Sequence, residues 1–262
     1  MTKFLRRLYL ALILIILYAP IATLIVLSFN ASKSRAKWGG FTLKWYVELF
    51  QNEAIMEALY TTLLLAVLSS LIATIIGTAA CIGINRMSKT PQTIIMGITN
   101  IPMLNAEIVT GISFMLAFLA FGIDLGFITV LIGHISFNIP YVILSVMPRV
   151  KQTGKLSYEA ALDLGATPIY AFWKVIFPDI LPGVLSGFLL SFTMSLDDFI
   201  ITYFTRGRGV NTLSTKIYSE VKKGIKPEMY ALSTLLFLSV LILLILVNYL
   251  PAKGKEKEAK NI

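Results

Sequence analysis

The chain holds one cysteine, Cys81, and one histidine, His134, in 262 residues. A single thiol excludes an internal disulfide, and its setting in the run AACIGI suits a packed small residue. Charged residues are also scarce, at 14%, against about 25% in soluble domains. No cluster of metal-ligating residues and no Ser-His-Asp arrangement is present, so catalysis by this chain itself is not expected. Gly154-Lys155 invites comparison with a phosphate-binding loop, but the upstream glycine is missing and Leu156 stands where Ser or Thr belongs. Sustained strand alternation is lacking too, which argues against a β-barrel. Lys3, Arg6 and Arg7 precede an apolar run too long for a cleavable signal, and no clear small-residue cleavage site follows.

What the chain has instead is apolar length. Hydrophobic residues make up 56% of it, with a mean hydropathy of +0.79. The few charges leave runs of roughly 20 residues, enough to cross a bilayer core of about 30 Å. Six spans are predicted, at 8–29, 60–84, 94–120, 126–148, 181–204 and 229–250, all helical. Pro102 in the third span, and Pro140 and Pro148 in the fourth, predict kinks whose freed backbone groups neighbouring helices must satisfy. Between the first two spans, Trp38–Leu59 sets Trp45, Leu49, Ile55 and Met56 against Glu48, Glu53 and Glu57, the pattern of a short interfacial helix. The net charge of +9 is read as loop charge that fixes topology and meets lipid head groups, with no nucleic-acid partner. With a cytoplasmic N-terminus, thirteen Lys and Arg fall inside and ten outside, a weak bias in the right direction; the basic stretch 205–228 opposes it.

One stretch breaks the apolar pattern. Glu159–Pro178, EAALDLGATPIYAFWKVIFP, is polar and partly charged. Thr153 or Ser157 is placed to cap a helix through Glu159, Ala160 and Ala161; Gly165 ends it, and Pro168 suits the start of the next. Ile169, Phe172, Trp173 and Ile176 then form an apolar face that needs a cover. The expected result is a helix-turn-helix knob at the membrane surface.

This stretch resembles the coupling loop of ABC-type importer permeases, Glu-Ala-Ala, three residues, Gly, nine residues, Ile-x-Leu-Pro. Glu159, Ala160, Ala161, Gly165 and Pro178 match at the right spacing, with Val175 and Phe177 as conservative departures. SLDDF at Ser195–Phe199, AEIVTGIS at Ala106–Ser113 and KIYSEVKKGIKPEMYAL at Lys216–Leu232 narrow the likeness to the spermidine/putrescine permease subunits. The resemblance covers nearly the whole chain and is weakest in the first span and the tail. It implies an all-α integral membrane fold of six helices, the type I (MetI-like) importer architecture. Residues 1–59 would be the first span with its extracellular segment, 60–250 the core with the coupling loop at 152–178, and 251–262 a cytoplasmic tail. It further implies a bacterial cytoplasmic membrane with both termini inside. The partners would be a sister permease, a dimer of ATPase subunits and an extracellular polyamine-binding protein; ATP and magnesium would sit on the ATPase and no cofactor on this chain.

Three carboxylates lie within the predicted spans, Glu107, Asp197 and Asp198, and no span-buried Lys or Arg stands ready to pair with them. An acid at mid-bilayer costs about 2.5–3.5 kcal/mol on insertion scales, so each asks for a purpose. A rise of 1.5 Å per residue places the aspartates roughly 24–26 Å along the fifth span and Glu107 about 20 Å along the third. A cationic solute suits such acids, with Phe192, Phe199 and Tyr203 offering rings for its methylenes or charge. Side chains one residue apart on a helix point about 100° apart, so Asp197 and Asp198 are not both expected to line a pathway; one is free to cap a helix or pair with the sister subunit. His134 reads as a hydrogen-bonded helix-interface residue, and Gly183-x-x-x-Gly187 as a site of close helix approach. Two alternatives stand beside the polyamine permease: an ABC permease for another small solute such as an amino acid, and an ATP-independent secondary transporter, which would not need the knob.

Overall fold

In the computed structural model, residues 3–152 and 155–242 are described, and their regular elements are helical. They are α1 (Lys3–Ser28), α2 (Lys44–Gln51), α3 (Glu53–Arg86), α4 (Lys89–Leu104), α5 (Glu107–Ala120), α6 (Phe127–Gln152), α7 (Lys155–Asp163), α8 (Pro168–Ala171), a π-turn at Phe172–Ile176, α9 (Phe177–Asp197), α10 (Ile200–Thr205) and α11 (Leu213–Lys223). A last apolar helix, α12, covers Pro227–Ile242. The chain divides into two compact units, Met1–Met56 with Ile217–Ile262, and Glu57–Lys216.

In the first unit, the loop after α1 is organised by Asn30. Its amide donates to the Lys37 carbonyl at 2.9 Å, and its Oδ1 accepts from Gly39 N at 2.8 Å. The Trp45 indole N–H donates to the Asn30 carbonyl at 2.7 Å, and Tyr46 and Ser28 share a hydrogen bond of 2.7 Å. These bonds leave Trp45 and Leu49 buried on one face of α2. The amphipathic helix is shorter than the sequence pattern suggests. Asn52 takes an extended backbone (ψ 99°) and its amide turns to Glu228 at 3.2 Å, so Ile55 and Met56 belong to α3.

The second unit is built on α6, which lies against α9 along most of its length, with α4 beside it and α10 packed on both α5 and α6. Its core joins Ala73, Cys81 and Ile84 of α3 to Val142, Ile143, Val146, Met147 and Val150 of α6 and Ile180 of α9. The two small residues singled out in α9 lie where backbones come close: a Cβ on Gly183 would meet Arg149 Cγ at 2.9 Å, and one on Gly187 would meet Val142 Cα at 3.3 Å.

Among the described residues, four helices are long and apolar enough to cross a bilayer, Arg7–Ser28, Glu53–Arg86, Phe127–Gln152 and Pro168–Asp197. The third predicted span is not one helix: α4 and α5 meet at 103°, and counting them as one bent span gives five. The cause is an extended pair, Asn105 (ψ 149°) and Ala106 (ψ 131°), just past Pro102. Glu107 therefore opens α5 instead of lying far along a continuous helix. The fifth span starts earlier than 181 and ends at Asp197, where Asp198 is extended (ψ 128°) before the short α10. Of the sixth predicted span the described part is α12, up to Ile242; the rest of it and the tail at 251–262 lie outside the described residues.

After α10 the chain turns back so tightly that a Cβ on Gly207 would fall on the Leu125 carbonyl oxygen. Gly207→Ala is expected to destabilise this unit at or above the upper end of the about 1–3 kcal/mol typical of overpacking, because backbone cannot move aside as a side chain can. Thermal unfolding of the purified complex reads it as a lower midpoint.

Candidate functional site

Two regions of the second unit carry chemistry. The first is the break between α9 and α10. Helix α9 stops at Asp197, leaving the first N–H groups of α10 without intrahelical partners. The Asp198 carboxylate takes them: Oδ1 accepts from Ile201 N at 3.2 Å, and Oδ2 from Thr202 N and Thr202 Oγ1, both at 2.8 Å. The backbone carbonyl of Asp198 also accepts from the Ser214 hydroxyl at 2.6 Å.

His134 approaches the same carboxylate from α6. Its Nε2 lies 3.2 Å from Asp198 Oδ2, with the two side chains 2% and 6% exposed. The same nitrogen is 2.9 Å from Thr202 Oγ1, and Nδ1 is 2.6 Å from Ser195 Oγ, which in turn bonds Ser69 Oγ of α3 at 2.9 Å. A buried polar chain thus runs Ser69–Ser195–His134–Asp198/Thr202, tying α3, α6, α9 and α10 together. Gly133 makes room for it, since a Cβ there would meet Ile201 Cγ2 at 2.9 Å. One helical turn further along α6, Asn138 is buried with neither amide atom partnered among the described residues, and the same holds for the buried Ser191 hydroxyl of α9.

The neighbouring acid is placed differently. Asp197 is exposed at the end of α9, with no hydrogen bond or ion pair among the described residues. Phe199 and Tyr203 stack across one turn at 5.3 Å between centroids, and the Arg206 guanidinium already lies over the Tyr203 ring at 5.8 Å. Phe192 pairs with Phe188 at 6.3 Å within α9. Glu107 is exposed at the first position of α5. The break therefore gathers Asp197, Asp198, Phe199 and Tyr203 from contiguous sequence, while Glu107 comes from a different element. The sequence did not reveal that the lone span histidine is the partner of a span acid. The usable signal was chemical, since His134 is the one span side chain able to take a positive charge opposite those acids.

The second region is the knob. Helix α7 ends at Asp163, the chain turns through Gly165 with φ +87°, and α8 starts with Pro168 at its first turn. The Thr167 hydroxyl accepts from Tyr170 N at 3.4 Å, capping α8. Thr153 lies outside the described residues, and Ser157 falls inside α7 instead of at its start. Glu159, Ala160, Gly165 and Pro178 are exposed and Ala161 half-buried. The Arg86 guanidinium sits 5.6 Å from the Tyr158 ring and ties α7 to the end of α3. Leu164, Ile169, Tyr170 and Trp173 are all more than half exposed, a cluster of large apolar side chains on a surface connector.

The model of a family described as binding-protein-dependent transport system inner membrane component matches residues 72–253. This chain belongs to that family. The permease is 39% identical over 241 residues to the spermidine/putrescine transport system permease protein PotC of Escherichia coli K12, covering 92% of this chain and 91% of that one. It is 34% identical over 253 residues to the putrescine transport system permease protein PotI of the same organism, covering 94% and 90%. Among solved structures, a bacterial ABC transporter involved in the import of the acidic polysaccharide alginate matches the permease with a TM-score of 0.71 at 16% identity, covering 95% of each chain. That likeness shows the fold, the type I importer permease architecture.

Proposed function

We propose that this permease passes polyamines across the cytoplasmic membrane as one subunit of an ATP-driven importer. The observation that carries this is the 39% identity, over 92% of the chain, to a permease named for spermidine and putrescine. The chemistry agrees with it. Glu107 and the Asp197–Asp198 pair, in or beside the spans, would make a pathway negative where ammonium groups are met by charge-assisted hydrogen bonds, and the Phe199 and Tyr203 rings would flank the methylenes. An anionic solute would call for span-facing basic residues instead.

ATP hydrolysis is assigned to a separate subunit, since this chain offers no phosphate loop. The exposed apolar cluster around Ile169 and Trp173 is the face that would dock on it, with Glu159, Ala160, Ala161, Gly165 and Pro178 shaping the contact. With the knob in the cytoplasm and six spans crossing the membrane, both termini would lie on that side too. The assembly would be completed by a sister permease and an extracellular polyamine-binding protein.

The test is uptake of labelled spermidine by vesicles holding the permease with its co-encoded partners. Excess unlabelled spermidine or putrescine is expected to lower tracer uptake about ten-fold or more, as saturation of a shared site requires. Amino acids and sugars should leave it unchanged, and ATP depletion should abolish it. Competition by an amino acid would move the permease to another solute class, and uptake that survives ATP depletion would point to a secondary transporter.

A further inference from the structure

The two aspartates at the α9–α10 break are not equivalent. Asp198 has committed its carboxylate: the Ile201 and Thr202 backbone N–H groups, the Thr202 hydroxyl and His134 Nε2 converge on its two oxygens. Two oxygens offer about four lone-pair sites, so little accepting capacity remains for a passing ammonium. The group is also buried. Asp197 is the opposite case, exposed and without a partner among the described residues. A carboxylate turned toward lipid is expensive, so Asp197 must face water or a partner subunit at the level of the break.

We propose that His134 is a positioning residue for transport: by holding Asp198 in the α9–α10 break it fixes where α9 ends, and it leaves Asp197 as the acid of the pair that meets the cationic solute. This rests on the polyamine reading above and deepens it by dividing the labour within the SLDDF motif. His134 touches no solute. Its two ring nitrogens span the break, one on Ser195 in the last turn of α9 and one on Asp198 and Thr202 at the start of α10, so the imidazole sets the angle between the two helices. Ser69 on α3 anchors Ser195 from behind.

Transport rates of spermidine and putrescine, measured on the full importer in proteoliposomes with equal amounts of complex, separate the roles. Spermidine carries one more ammonium group than putrescine, so a residue that meets the solute alters the ratio of the two rates. A residue that only sets helix geometry lowers both in proportion. Asp197→Asn is expected to change the ratio about three-fold or more, the worth of part of one charge-assisted contact. His134→Gln and Asp198→Asn should each lower both rates about ten-fold with the ratio kept. Combining His134→Gln with Asp198→Asn should cost no more than about two-fold beyond the worse single change, because both break one network. Combining His134→Gln with Asp197→Asn should multiply the separate losses. Should His134→Gln fail to assemble, Ser195→Ala frees the other ring nitrogen and is expected to give the same ratio-preserving loss. A ratio that shifts with His134→Gln or Asp198→Asn but not with Asp197→Asn overturns the assignment, as does independent action of His134 and Asp198. An unsubstituted importer that carries neither polyamine would instead overturn the polyamine reading itself.

Discussion

Replacing Gly165 with valine is expected to strip the ATPase from the importer while leaving the permease in the membrane. The reason is conformational, because nothing lies within 4 Å of where a Cβ would stand. Gly165 has φ +87°, in the left-handed region that costs L-residues about 1–2 kcal/mol, and more for a β-branched side chain. Its N–H donates to the Leu162 carbonyl at 2.9 Å, and the next N–H, of Ala166, to the Ala161 carbonyl at 3.0 Å, so the turn closes α7 by its backbone. A valine that relaxes toward negative φ reopens both bonds and swings α8 with its exposed Ile169 and Trp173. The spans, which bury none of this turn, should insert as before. Co-purification of the ATPase with tagged permease is expected to fall about ten-fold, the effect of roughly 1.4 kcal/mol, with ATP-driven uptake falling alongside. Gly165→Asn, which tolerates positive φ better, should lose less. Full recovery of the ATPase with Gly165→Val would detach the knob from the coupling role proposed for it.

Asp198→Leu is expected to have the larger effect on stability. It removes an acceptor that serves two backbone N–H groups, a hydroxyl and an imidazole in the interior. Removing one partner of a buried pair costs about 3–5 kcal/mol, because the other is left without compensation. The leucine fills the space but satisfies none of those donors, which are buried there. Lower yield of assembled complex and a lower thermal midpoint should accompany loss of uptake. Asp198→Asn keeps an acceptor oxygen for α10 and should assemble. The contrast between the two substitutions, read as complex recovered per cell, separates the structural loss from the transport loss. Equal recovery of both would mean that the break tolerates an empty cap.

The lipid made the spans legible, since a backbone crossing it must be helical and its side chains apolar. The knob was legible because its backbone demands particular residues: Gly165 where φ is positive and Pro168 where a helix starts. The break at Asn105–Ala106 was not, as neither residue is a helix breaker and Pro102 lies inside α4, a turn too early to mark it. The end of α9 at Asp197 was missed for a similar reason. Leu196, Asp197, Asp198 and Phe199 carry no Gly or Pro, and the helix stops there because Asp198 is drawn to His134 and to the first turn of α10. That pairing depends on α6 lying against α9, a contact between distant segments that periodicity cannot reveal. Which acid is buried and which is exposed follows from the break, so it too stayed hidden until the packing was known.

From Pro168 to Asp197 the chain runs as one 30-residue element, about 45 Å long at 1.5 Å per residue. Its near end is the exposed apolar cluster and its far end is the unpartnered aspartate. The π-turn at Phe172–Ile176 and the imino residues Pro178 and Pro182 are all crowded into its first half. If the knob has the coupling role proposed for it, the irregular turns of this element stand beside the end that would be pushed, and the uninterrupted helix beyond Pro182 would carry that push as a swing at the opposite tip.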